Sequence, residues 1–90
     1  MEISFSIHAI KRMFERRITK NEIHHVLISG DMIENYPDDT PYPSRLMFGW
    51  NNDRPLHVVV ADNITDDQWI VITVYEPNLN VWESDYKRRK

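Results

Sequence analysis

Arg54-Pro-Leu-His-Val-Val-Val-Ala61 is the stretch on which the fold turns. Its valine run is β-branched, and polar turn chemistry flanks it on both sides, Asn51-Asn-Asp-Arg-Pro55 before and Asp62-Asn-Ile-Thr-Asp-Asp67 after. That pattern is a strand between two short connections, with one ionisable ring, His57, near its entrance. Outward from it, residues 45–50 and 69–75 carry the same strand signals, and short connections imply an antiparallel meander. Residues 32–36 alternate enough for a fourth strand. Between that strand and the meander, Pro37, Pro41 and Pro43 break regular structure, giving either a rigid turn anchored by Tyr36 and Tyr42 or a ligand cradle.

Two helices precede the strands. Ser6 can cap a helix starting at Ile7, whose Ile7, Ile10, Met13 and Phe14 recur at helical spacing as its buried stripe. The other side carries His8, Arg12 and Arg16 at intervals of four, a row that is either a solvated face or a cationic surface with a histidine at its head. Such a histidine in the first turn tends to stay neutral, because the helix N-terminus disfavours imidazolium. Thr19-Lys-Asn-Glu22 is a capping box, with Ile18 and Ile23 as its hydrophobic staple, so a second helix starts there. Ile23, Val26 and Leu27 form its apolar face, and Gly30 ends it where a left-handed residue is easiest. The adjacent pair His24-His25 points in diverging directions, which argues against a metal site there.

The 90 residues allow one domain, 1–90, with a single core. No apolar run reaches the roughly 20 residues of a membrane span, and the start lacks the pattern of a signal peptide, so a cytoplasmic protein is expected. Without cysteine there is no disulfide, no thiolate-held zinc and no thiol nucleophile; no metal or other cofactor is expected. The net charge of −3 argues against strong nonspecific nucleic-acid binding, although basic residues gather at 11–17 and in the tail at 87–90.

Strand alternation sorts the side chains onto two faces. Leu46, Phe48, Trp50, Leu56, Val58, Val60, Ile70, Ile72 and Val74 form the expected core face under the helices. The other side holds Arg45, Met47, His57, Val59, Val71, Thr73 and Tyr75, and an up-down-up meander brings Arg45, His57, Thr73 and Tyr75 to one end. Arginine forks suit phosphate or carboxylate, histidine moves protons near neutral pH, and tyrosine stacks or donates a hydrogen bond. RNA cleavage without metal needs a base, an acid and cations around the phosphorane. His57 and His8 can fill the proton roles; Arg45, with Arg12 and Arg16 from the helix, the charge role. Equally, His57 can be a hydrogen-bonded structural histidine and Arg45 a partner of one of the carboxylates.

His8-Ala-Ile-Lys-Arg-Met-Phe-Glu-Arg16, Gly30-Asp-Met-Ile-Glu-Asn-Tyr-Pro37, Pro41-Tyr-Pro-Ser-Arg-Leu46, the quoted strand and Thr73-Val-Tyr-Glu-Pro77 resemble the DUF4258-type domain over residues 8–77. That family is similar in predicted fold to the RelE/ParE, barnase-like and MqsR-like toxin ribonucleases. The expected fold is α+β, with two N-terminal helices packed on one face of a four-stranded antiparallel sheet, in keeping with that resemblance. Residues 82–90 are expected to pack an aromatic or two and then fray into a basic C-terminal tail. The resemblance further implies a metal-independent ribonuclease of a toxin–antitoxin pair, with RNA and a cognate antitoxin of the zinc-finger kind as partners. His57, His8, Arg45 and Tyr75 would be catalytic, and Arg12, Arg16 and Thr73 would hold substrate. The rival is a non-catalytic module that docks a protein on the same sheet face, or on an outward Trp69 and Met47.

Overall fold

The computed structural model describes all residues, 1–90. Its elements run β1 (Glu2–Phe5), α1 (Ile7–Arg16), α2 (Lys20–Ser29), β2 (Asp31–Tyr36), β3 (Ser44–Asn51), β4 (Arg54–Asn63) and β5 (Gln68–Tyr75). The class is α+β with two helices, as expected. The sheet, however, has five strands rather than four, in the order β1-β5-β4-β3-β2, and it is mixed. β2 to β5 form the antiparallel meander, whereas β1 adds to the edge parallel to β5, with Ile3 beside Trp69 and Phe5 beside Val71. Ile3 and Phe5 alternate with Glu2 and Ser4, the one local signal that a strand precedes the first helix.

Both helix starts follow from their caps. The Ser6 hydroxyl accepts from the Ala9 N–H at 3.0 Å and donates to the Ile72 carbonyl at 2.8 Å, so one side chain caps α1 and fastens it to β5. At α2 the Thr19 hydroxyl accepts from the Glu22 N–H and the Glu22 carboxylate from the Thr19 N–H, the two halves of the capping box. Gly30 ends α2 for a reason other than a left-handed backbone. Its φ is −84°, but a Cβ there would lie 2.4 Å from the Phe48 carbonyl oxygen and 2.5 Å from that of Val26. Close approach of the helix end to β3 excludes a side chain.

α1 packs over β5, α2 over β3 and β4, and the core forms between them and one sheet face. Ile23, Val26 and Leu27 fill it from α2, Ala9 from α1, and Met47, Leu56, Val58, Val60, Val71 and Val74 from the sheet. This corrects the expected faces. A two-residue hairpin joins Asn51 to Arg54, which places Phe48 opposite His57 and Met47 opposite Val58. Leu46, Phe48 and Trp50 therefore stand on the His57 face, while Met47 and Arg45 stand under the helices. A bulge in β5 pairs Val59 with Thr73 but Val60 with Val71, leaving Ile72 as the extra residue. Beyond it Val71 faces the helices and Ile70, opposite Ala61, the other side.

The second correction concerns α1. Ala9 and Met13 turn inward, while Ile7 is 88 %, Ile10 53 % and Phe14 88 % exposed. Only one flank of its apolar arc is covered. The third concerns the tail, which does not fray. Residues 76–90 fold back across the outer sheet face, Trp82 is buried, and an isolated bridge pairs Trp82 with Arg89.

Candidate functional site

Two regions compete for the role of working surface: the His57 face of the sheet and the outer side of α1. On the first, β4 brings His57 beside Tyr75 of β5, with Phe48 across on β3. The His57 ring is 0 % exposed. Its centroid lies 4.5 Å from that of Trp82 and 5.6 Å from that of Phe48, both edge-to-face. Nε2 lies 2.7 Å from the main-chain oxygen of Tyr86, so it carries the proton and donates. Nδ1 is then the acceptor for the Tyr75 hydroxyl at 3.2 Å. Both ring nitrogens are used.

Burial pushes the His57 imidazole below its ordinary range, overriding the opposing pull of the Tyr86 carbonyl. Burial likewise pushes the Tyr75 and Tyr36 phenols up. Near neutral pH these groups are an uncharged imidazole and two phenols. The charged members beside them are Glu34 and Arg89. Arg89 donates to both Glu34 oxygens, 2.8 Å from Nε and 3.1 Å from Nη2, and this bond, more than the one from the Tyr36 hydroxyl, lowers the Glu34 carboxyl. Lys87 adds an ion pair to Asp31 at 3.2 Å, and the Arg89 guanidinium lies 4.5 Å from the Trp82 ring. The tail is thus tied to β2 by charge and to β4 by an aromatic plug. No buried side-chain polar atom lacks a partner.

The residues read as a site from sequence are distributed as follows. His57 and Tyr75 are together, and Thr73, opposite Val59, shares their face. Arg45 is not with them: it sits on the helix side opposite Val60, paired with Asp62 and with its guanidinium 5.1 Å from the Trp69 ring. His8 and Arg16 are exposed on α1 and Arg12 pairs with Glu15 at 3.1 Å, all across the sheet from the His57 ring. The docking residues of the rival reading move as well, because Met47 is in the core and Trp69 packs against it. Sequence reasoning missed Trp82, Tyr86 and Arg89 as the cover of His57; their only signal was two aromatics in a charged tail.

The second region needs no movement to be accessible. Ile10, Met13 and Phe14 of α1 and Ile18 of the interhelix turn line an open groove of about 970 Å³, whose polar lining is Glu15, Arg17, Thr19 and Lys20. Ile7, one turn earlier on α1, is likewise exposed. No group of histidine, cysteine, aspartate and glutamate side chains is arranged to hold a metal ion. No helix is long and apolar enough to cross a membrane.

The family model described as a domain of unknown function, DUF4258, matches residues 5–76, from the last residue of β1 to just past β5. No curated protein and no solved structure matches the chain. The segment that covers His57 lies beyond the matched region.

Proposed function

The chain belongs to the DUF4258 family, and we propose that this member is a non-catalytic protein-binding module that works through the exposed side of α1. The observation that carries the reading is the row Ile7, Ile10 and Phe14, one helical face left in water although the same helix buries Ala9. Contiguous exposed apolar side chains bordered by charge mark interaction sites, and a chain of this size gains stability by covering them if it can. The His57 face, by contrast, is already filled by the chain's own tail.

The second reading is the metal-independent ribonuclease expected from the sequence. It is favoured by one feature, His57, Tyr75 and Thr73 sharing a sheet face. It requires residues 77–90 to lift so that the imidazole reaches a 2′-hydroxyl, and it draws no phosphate-holding role from Arg45 on the far side of the sheet.

One experiment separates them. The tagged chain, its Phe14→Ser variant and its His57→Gln variant are expressed in the native host, and co-purifying protein and total RNA integrity are followed together. The binding module predicts a stoichiometric partner retained by the wild type and His57→Gln but lost by Phe14→Ser, with RNA intact throughout. RNA fragmentation by the wild type that a folded His57→Gln chain does not reproduce would replace it with the nuclease.

A further inference from the structure

We infer that the occupant of the α1 groove is an acidic amphipathic helix of another protein, a deduction that rests on the binding-module reading and names its partner's chemistry. The groove is a trough rather than a closed cavity. Ile7, Ile10 and Phe14 succeed one another at i, i+3 and i+7, the spacing at which a partner helix presents its own apolar anchors. Met13 and the buried Ile18 give the trough an apolar floor.

Charge selects among helices. Arg17 and Lys20 line the groove with a single carboxylate, Glu15, and Lys11 follows Ile10 on α1, in a chain whose net charge is −3. Arg12 is engaged by Glu15, and the Lys20 ammonium lies 5.6 Å from the Phe5 ring centroid. The side chains of Lys11 and Arg17 make no ion pair. An apolar stripe edged by uncompensated cations fits a helix with apolar anchors and glutamate or aspartate shoulders. A second copy of this chain docking by the same face would oppose cation to cation. A nucleic-acid backbone would satisfy the charges but leave the isoleucines and the phenylalanine against water.

The test titrates the isotopically labelled full chain with two synthetic helical peptides of one design, leucine at i, i+3 and i+7, the remaining positions rich in glutamate in one and lysine in the other. The glutamate peptide is expected to shift amide resonances of residues 7–20, more weakly at high salt. Phe14→Ser should weaken it about tenfold or more, as loss of a central anchor does. Phe14 is largely exposed, so an unchanged melting temperature identifies that loss as one of contact. Equal binding of the lysine peptide, no shifts with the glutamate peptide, or shifts centred elsewhere would overturn the inference, as would a dimer in sedimentation that Phe14→Ser dissolves. If the peptides fail while Phe14→Ser still releases the native partner, the acidic helix is wrong and the module stands. If Phe14→Ser releases nothing, the module itself falls.

Discussion

The Nε2–H of His57 donates to the main-chain carbonyl of Tyr86 at 2.7 Å, which makes the one histidine of the sheet part of the lock that holds the tail down. Because burial depresses the folded-state value of this imidazole, the folded chain binds fewer protons than the unfolded chain as pH falls below the ordinary histidine range of about 6.5. The neutral ring's contribution is therefore complete above that range and is lost progressively as pH drops towards the folded-state value. Stability should fall on acidification from pH about 7 to 5. His57→Gln keeps an N–H for Tyr86 but does not titrate, so its denaturation midpoint should change less over the same interval. An equal acid slope in both chains would assign the loss to carboxylates such as Glu34.

Removing the plug should show whether the tail is structural. Trp82 is 2 % exposed and lies edge-on against His57, so Trp82→Ala should cost about 3–5 kcal/mol by chemical denaturation, as for other buried aromatics. The His57 resonance in that variant should titrate nearer its ordinary value as water enters. A loss under 1 kcal/mol with His57 unchanged would mean that the segment rests on the sheet without supporting it.

Much of this architecture was legible. The caps at Ser6 and Thr19 set both helix starts, and β4 followed from its valines and its flanking turns. The sheet faces were harder, because a strand's own alternation says which residues share a side and not which side it is. That came from the two-residue connection between Asn51 and Arg54, which puts Phe48 opposite His57, and from a bulge at Ile72 that no composition announces. The pairing of His57 with Tyr75 lay within one hairpin and was readable. Separation of Arg45 from them depended on register. The covering of His57 depended on a tail 25 or more residues away in sequence, joined by one plug and two ion pairs, for which no local pattern exists.

Arg45 and His57 stand on opposite faces of the sheet. Arg45→Ala should break the pair with Asp62 and the stacking on Trp69, yet leave the His57 titration unchanged. A shift in that titration, read by the ring proton resonances, would contradict the register of β3 on β4.

Gly30 should not tolerate alanine. Its φ of −84° suits any residue, so the obstacle is the two carbonyl oxygens that a methyl would meet. Gly30→Ala should destabilise by about 1–3 kcal/mol through displacement of the α2 end from β3, the usual cost of overpacking. A neutral or stabilising outcome would mean that the helix end retreats freely.

Arg54 joins four segments at once. Its guanidinium pairs with Glu76 after β5 and with Glu22 of α2 at 3.5 Å, and donates to the carbonyls of Arg16 and, at 2.9 Å, Arg17 at the end of α1. Those carbonyls terminate a helix, so the cation meets the negative end of its dipole. Lysine cannot reproduce this spread, because a single ammonium lacks the planar fork that reaches carboxylate and carbonyls together. Arg54→Lys should therefore cost about 1–3 kcal/mol, near one or two lost charge-assisted hydrogen bonds, and Arg54→Ala somewhat more. Amide exchange should rise first at residues 16–18, where α1 ends in the left-handed Arg17 and hands the chain to the floor of the groove. If Arg54→Lys matched the wild type in both measurements, the junction would be held by the capping of the two helices alone, and the groove would owe its shape to Ser6 and Thr19 rather than to this arginine.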